Sequence, residues 1–584
     1  MTPAVARVLP EVAALERPFD YSAEGLDLVV GDRVRVQLHG RSVRGWVVGL
    51  ADGSDVAGLK SVARSLGKGP PARVVELCEW AAWRFAGAWS KLLATASPQR
   101  VVTSLAPAPP VVALPVVHNL QRVVGQRLVR ATVPTLLRVG PCTDPIELVL
   151  SVLHGVTGES REGAVVVTTP TSAWAERLTE RLRRRGITAA GPTDWVLAAS
   201  GAAVVVGARA AALSPVPRLA AALVLDAHDS AYKQTQAPCW DAVTILAERC
   251  RRDQAPLIAT SWCATPTLRA LAPHEEVLEH EQRLWPKVVV ADLGEADPRE
   301  GGLSGTFVGA ARRALAEPGD GVRVAVVLQR LGAARLLACR RCGALAICEP
   351  HRLALREGDG GLACDDGCCQ LARLCISCGA TKLVALREGI ATLAKRVSAL
   401  LGEPVAEVSA ASSQIDTGSR IVVGTEAVLS RVRRAPVVCF AELDDYLCAP
   451  RAHGALEALR AVGLAGRLTG ARGSSAPGLV VVQTRLAAHP AVACAVNGDP
   501  SGVITQEADR AAALSLPPHV AQCALSGEAA AEFATALGAA GLVVHDDTDR
   551  YLVEADDHTT LCDALAATPR PSGRLRVEVD PAGT

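Results

Sequence analysis

Long apolar runs are missing from this chain: the longest uncharged stretches, Val101 to Leu120 and Trp195 to Ala208, are broken by prolines or too short to cross a bilayer. A soluble protein with no membrane association is expected. No secretory signal opens the sequence, so a reducing, cytoplasmic setting is expected as well. Neither charge is in excess, with 61 basic against 60 acidic side chains and a net charge of +1. A nucleic-acid partner would therefore have to be met by a local basic surface. The cations are nearly all arginine, the residue suited to bidentate phosphate contacts. Aromatic side chains make up only 3% of the chain, which makes the spacing of Trp80, Trp83 and Trp89 conspicuous. They fall on or near one face of a helical pattern over residues 72–94, and core packing is the usual reason for such a stripe. A last absence bears on chemistry: a phosphate-cradling loop needs G-x-x-x-x-G-K-[ST], and no such string occurs.

Cysteine, by contrast, is concentrated. The segment Cys339-x2-Cys342-x5-Cys348-x2-His351-x12-Cys364-x3-Cys368-Cys369-x5-Cys375-x2-Cys378 holds eight cysteines and one histidine. Two-residue spacers let both sulfurs of a pair reach one tetrahedral zinc, and two four-ligand sites would use eight of these nine groups. Spacing alone leaves open whether the pairs join in sequence or interleave. With no open coordination position in prospect, two structural zinc ions are expected, stabilising a loop-rich module by about 10–16 kcal/mol. The remaining cysteines, Cys78, Cys142, Cys239, Cys250, Cys263, Cys439, Cys448, Cys494, Cys523 and Cys562, are scattered and read as core residues.

The hydrophobic pattern divides the chain. Alternating runs at residues 29–38 and 44–50 read as strands of a small barrel, and a proline- and alanine-rich stretch from Pro107 to Pro115 reads as a linker. Short apolar runs then alternate with amphipathic helices: Ala164–Val167, a helix from Trp174 to Arg185, Ala203–Val206, Leu223–Asp226 and Leu257–Thr260. A second series begins at Val322–Leu328, is interrupted by the cysteine segment, and resumes at Ile421–Gly424, Pro436–Phe440 and Leu479–Val482. This alternation predicts two lobes of parallel sheet covered by helices. From about Glu507 a separate α+β domain is expected, with a helix near 527–540 and strands near 541–555 and 573–579.

Paired lobes of this size suit nucleic-acid motor ATPases, but the parts for phosphoryl transfer are eroded. The nearest phosphate-loop candidate, Gly155-Val156-Thr157-Gly158-Glu159-Ser160-Arg161, lacks the lysine and runs into a strand instead of opening a helix. Asp226 stands where magnesium would be held, without the adjacent glutamate that would orient water.

These residues resemble the family of the bacterial primosomal replication-restart protein PriA. The resemblance rests on Arg17-Pro18-Phe19-Asp20-Tyr21, Gly31–Val36 and Leu59-Lys60 at the N-terminus, and on Leu225-Asp226-Ala227-His228-Asp229-Ser230-Ala231-Tyr232-Lys233-Gln234 beside the family's D-E-E-H-D-x-x-Y-K-Q. Further along it rests on Thr260–Leu268 beside S-A-T-P-S, Gly424-Thr425 with Val437–Asp445 beside G-T-Q…D-A-D, and Leu514–Pro518 beside L-G-Y-P-P. The fold it implies is multidomain α/β: a 3′-end DNA-binding β-barrel domain over 1–105, a linker or degenerate winged-helix region over 106–130, and a helicase-like lobe over 131–290. A second lobe follows over 291–505 with a zinc module at 336–382, and a C-terminal domain over 506–584.

By resemblance the zinc sites interleave: Cys339, Cys342, Cys375 and Cys378 form one, and Cys348, His351, Cys364 and Cys368 the other, with Cys369 as alternative to Cys368. His351 stands where the family generally has cysteine. Phe19, Asp20 and Tyr21 would line a pocket for a terminal nucleotide, with Gly40 and Lys60 beside it. Gly155, Gly158, Asp226 and Arg467 would mark a degenerate nucleotide site. The family's Q-x-x-G-R-A-G-R survives as Gly463–Gly470, with Arg467 kept and the second arginine absent or displaced to Arg472. An arginine finger alone is worth about 10³–10⁵ in turnover, so no catalytic residue is assigned and ATP is not expected to be hydrolysed. The function implied is replication restart: recognition of stalled or abandoned forks and reloading of the replicative helicase. Expected partners are forked or single-stranded DNA, primosome and helicase-loading proteins, and single-strand DNA-binding protein, met by a monomer. The alternatives are a divergent ATP-dependent 3′-to-5′ helicase and a zinc-organised interaction protein.

Overall fold

The computed structural model describes residues 4–12, 17–56, 58–109, 114–115, 119–278, 281–294, 302–329, 337–351, 353–358, 361–364, 368–385, 389–408, 418–449, 453–547 and 550–581. Part of the expected linker, 110–113, and part of the zinc module, 365–367 among others, lie outside them.

At the N-terminus five antiparallel strands pair in the order Phe19–Ser22, Val5–Pro10, Arg41–Ala51, Arg33–Leu38, Arg64–Gly67. The segment before the last strand closes the sheet on itself: Ser61 bridges Ser22, and Ala63 N–H donates to the Arg35 carbonyl. Alternate apolar positions fill the barrel, among them Ala6, Val8, Val34, Val36 and Val47, as a half-buried strand requires. The expected single helix over 72–94 is two helices, Ala72–Arg84 and Trp89–Ala96. The break has a local cause: Ala86 takes φ +46°, and a Cβ on Gly87 would stand 2.3 Å from Pro238 Cβ.

Both lobes are wholly parallel sheets. In the first, seven strands run in the order His274–Val277, Thr135–Arg138, Leu257–Ser261, Leu219–Val224, Ala164–Thr168, Val204–Gly207, Ala189–Ala190. In the second, six run in the order Val288–Asp292, Leu479–Thr484, Val437–Phe440, Val324–Val327, Ile421–Gly424, Val405–Val408. Their valine-rich strands are buried on both faces, which is why they read as continuous apolar runs rather than alternating ones. Helix Asn119–Arg130, in the region expected to be linker or winged helix, packs on helix Pro145–Gly158 of the first lobe. Two glycines allow that approach, since a Cβ on Gly125 would meet the Ser151 carbonyl at 1.8 Å and one on Gly155 the Gly125 carbonyl at 2.3 Å.

The C-terminal domain is a four-stranded antiparallel sheet, in the order Val543–Asp547, Arg550–Ala555, Ala521–Ser526, Arg576–Val579, with helices Ala530–Ala539 and His558–Ala567. It shares one apolar core with the N-terminal helices and the first lobe. The tryptophan stripe belongs to this packing: Trp89 is buried, Trp80 packs against the shared core, and Trp83 Nε1 donates to Asp563 at 2.9 Å. No helix among the described residues is long and apolar enough to cross a membrane.

Candidate functional site

Ligands of parallel α/β sheets bind at the carboxyl ends of the strands. At that edge of the first lobe lie the Val139–Asp144 turn, Asp226 after strand Leu219–Val224, and Trp262 after strand Leu257–Ser261. Helix Gly454–Thr469 of the second lobe lies directly across them. From it Arg467 grips Asp226 with both terminal nitrogens, at 2.6 and 2.8 Å, while its Nε donates to the Pro141 carbonyl at 2.8 Å. The guanidinium also lies 5.0 Å from the Trp174 ring and 4.7 Å from the Trp262 ring, so cation–π attraction adds to the ion pair. Gly463 and Gly466 let the helix come this close: a Cβ on Gly463 would stand 2.4 Å from Trp262 Nε1, and one on Gly466 2.8 Å from Pro286.

Asp226 is 4% exposed and holds φ +54°, a conformation aspartate tolerates better than most residues. Its N–H donates to Thr260 Oγ1. Beside it His228 packs edge-on against Trp262, with ring centroids 4.3 Å apart, and its Nδ1 is 2.9 Å from Ser261 Oγ. Burial, together with the nearby Arg460 and Arg467 cations, pushes its pKa down to about 3, so the imidazole is neutral at physiological pH.

The Gly155 loop is not part of this junction. Gly155 and Gly158 form the last turns of helix Pro145–Gly158 and precede strand Ala164–Thr168, at the edge of the sheet opposite Asp226. The expectation that Gly155, Gly158, Asp226 and Arg467 share one site is thereby corrected, and the strand–turn–helix at the working edge is Thr135–Gly158, through Gly140. Its backbone donors are largely engaged. Val139 N–H binds the Ser261 carbonyl, Cys142 N–H the Leu284 carbonyl and Thr143 N–H the Gly140 carbonyl, while Pro141 and Pro145 have none to give. Asp144 caps the helix by accepting from Ile146 N–H, so a carboxylate already occupies the end where phosphate would sit. Arg472 is no second finger, because it donates to the carbonyls of Pro286, Ala495, Val496 and Asn497, closing the end of helix Pro490–Asn497.

In the cysteine segment the side chains gather as two interleaved groups that could each hold a metal ion: Cys339, Cys342, Cys375, Cys378, and Cys348, His351, Cys364, Cys368. In the first, Cys339 and Cys378 sulfurs are 3.6 Å apart and those of Cys342 and Cys375 3.5 Å. In the second, His351 Nδ1 lies 3.7, 3.5 and 3.2 Å from the sulfurs of Cys348, Cys364 and Cys368. Sulfurs at the corners of a tetrahedron with bonds of about 2.3 Å stand about 3.8 Å apart, so the donors are set for one ion each. The described remainder of the cysteines is buried or half-buried, as core residues are.

On the barrel the terminal-nucleotide candidates divide. Tyr21 is core, 4% exposed, with its hydroxyl donating to the Gln37 carbonyl, and Phe19, on the same face, packs partly against that core under Arg17. They do not form an open stacking wall beside Asp20, because neighbouring strand residues point to opposite faces. Asp20 faces outward, accepting from Ser54 Oγ at 2.6 Å and pairing with Arg7 at 3.7 Å. Lys60 is exposed, and its carbonyl accepts from Ser22 N–H on the same strand as Asp20. Gly40, at φ +78° with open space where a Cβ would be, turns the hairpin between Arg33–Leu38 and Arg41–Ala51.

Residues 7–98 match the model of the 3′ DNA-binding domain of PriA. Over longer spans the chain is similar to the replication restart protein PriA of Synechocystis, 25% identical over 63% of this chain and 51% of that one. It is also similar to the probable replication restart protein PriA of Mycobacterium leprae, 27% identical over 88% and 86%. The chain thus spans about half the length of the first of these relatives and most of the second. Among solved structures, that of S. cerevisiae Dbp5 superposes with a TM-score of 0.32 at 10% identity, over 66% of this chain and 88% of that one, too distant to bear on function.

Proposed function

We propose that this chain, a divergent relative of the replication restart protein PriA, acts in replication restart as a DNA-binding scaffold and not as a motor. The observation that carries this reading is the Arg467–Asp226 clamp between Trp174 and Trp262. A motor must open and close its lobes around nucleotide, whereas here the arginine and carboxylate that would serve that cycle bind each other. The lobes then present the barrel, the metal module and the C-terminal domain in one fixed arrangement.

In this role the barrel meets the 3′ end of a nascent strand at a stalled or abandoned fork, and the assembled protein helps primosome partners reload the replicative helicase. Asp20 would accept from a free 3′-hydroxyl and Lys60 would meet phosphate. Phe19 and Tyr21 would support this surface from beneath, and Gly40 would keep the neighbouring hairpin tip slim. Zinc is the ion best suited to both groups of the module, since thiolate-rich four-donor sets with one imidazole favour it. Closed by four donors each, the ions would hold the fold of a short segment whose own apolar core is small.

Alanine at Asp20 and Lys60 together is expected to weaken binding to forks with a free 3′ end by about tenfold or more, roughly the worth of one charge-assisted hydrogen bond. Binding to forks with a blocked 3′ end should fall less. Equal losses on the two substrates, read by fluorescence anisotropy, would sink the end-recognition reading.

A further inference from the structure

The second metal group has one donor too many. Cys369 lies next to Cys368 in the chain, and its sulfur is 3.8 Å from that of Cys348, the spacing of two sulfurs on one tetrahedral ion. A fifth thiol therefore stands beside the four donors that converge on this centre without being one of them, whereas no such extra cysteine or histidine joins the first group among the described residues. The hairpin carrying the extra thiol is held in place, with Cys364 N–H donating to the Cys369 carbonyl at 3.2 Å. Cys368 is the exposed member of the pair, while Cys369 is half-buried against the module's apolar core. The outgoing sulfur and its replacement thus differ in access, one open to solvent and the other half-buried against the module's core.

We propose that Cys369 is a reserve ligand of the second centre, replacing Cys368 when that sulfur leaves, so that this ion is held through the loss of a ligand and the first ion is not. This rests on the reading that the second group holds zinc. The exchange is balanced: the Cys369 thiol gives up its proton as its sulfur binds the metal, and the departing Cys368 thiolate takes one up. Coordination number, donor chemistry and net charge stay the same. The consequence is an asymmetric module in which damage or capping of Cys368 is tolerated and the same insult to Cys342, the exposed ligand of the first group, is not.

Zinc per chain, measured by inductively coupled plasma mass spectrometry on the purified protein, separates the possibilities. Two equivalents in the unaltered protein test the metal reading itself, and fewer would remove that premise. Given two, Cys368→Ser and Cys369→Ser are each expected to keep two, the double substitution to keep one, and Cys342→Ser to keep one. Loss of an equivalent in Cys368→Ser, or in Cys369→Ser alone, would overturn the proposal, since either shows that a single cysteine is indispensable. Cobalt substitution gives a second readout: in Cys368→Ser the thiolate-to-cobalt charge-transfer intensity should match that of the unaltered protein, and a fall by one thiolate's share would contradict the replacement.

Discussion

The junction between the lobes and the outer face of the barrel hold similar chemistry, a carboxylate beside an arginine, yet in opposite surroundings. Asp226 and Arg467 are sealed under two tryptophans and a glycine-faced helix, with side chains 6% and 29% exposed. Asp20 and Arg7 lie nearer the surface, with side chains 21% and 59% exposed and a nearest approach of 3.7 Å. A buried ion pair adds little net stability but is costly to break by halves, whereas a surface pair is worth little and leaves its members free to trade partners. The first arrangement fixes a relative position, and the second can exchange Arg7 or Ser54 for a ligand. The difference teaches that the carboxylate and arginine between the lobes act as a joint, while the looser pair on the barrel leaves its polar groups able to change partners.

Removing one side of the joint is the strongest way to break this contrast. Arg467→Ala leaves Asp226 buried and uncompensated and is expected to cost about 3–5 kcal/mol of unfolding free energy. Adding Asp226→Asn should return part of that loss, a coupling that urea denaturation of the four proteins in the cycle would reveal. Acid comes next. His228 is held neutral in the fold with a pKa of about 3, whereas the unfolded chain takes up its proton near pH 6.5. Stability is therefore whole above pH 6.5 and falls as pH drops below it, by about 2 kcal/mol between pH 6.5 and 5. His228→Asn should flatten that slope, and an unchanged slope in urea titrations would show that His228 is not buried neutral. The smallest effect belongs to the barrel: Asp20→Ala is expected to change stability by no more than about 0.5 kcal/mol, since its ion pair is exposed, while still altering DNA binding. A loss as large as that of Arg467→Ala would erase the distinction between joint and surface.

What could be read from sequence follows the same division. Valine runs became central strands because a parallel sheet buried on both faces has no polar side to record, and the cysteine spacing was legible because a metal ion dictates it. Strand Thr135–Arg138 was missed, since only Leu136 and Leu137 are apolar within it, and the glycines of Gly155–Gly158 drew the phosphate-loop reading to the wrong edge of the sheet. Gly140 followed by Asp144-Pro145, a turn glycine and then a helix cap, was the available signal. Cys368 and Cys369 could not be told apart by spacing, because adjacent residues serve it equally; the structure separates them, with the Cys368 sulfur 3.2 Å from His351 Nδ1 and 3.4 Å from the Cys348 sulfur, against 3.8 Å from Cys369 to Cys348. Nothing local announced that Trp174, Trp262 and Arg467 meet, as they come from three distant parts of the chain.

The most direct test of the central claim is ATP hydrolysis by the metal-loaded protein, with and without a forked DNA bearing a free 3′ end, and with fork binding measured in the same samples. The account predicts fork binding with no DNA-stimulated hydrolysis; turnover that rises with bound fork would contradict it, because a latched pair of lobes cannot complete that cycle.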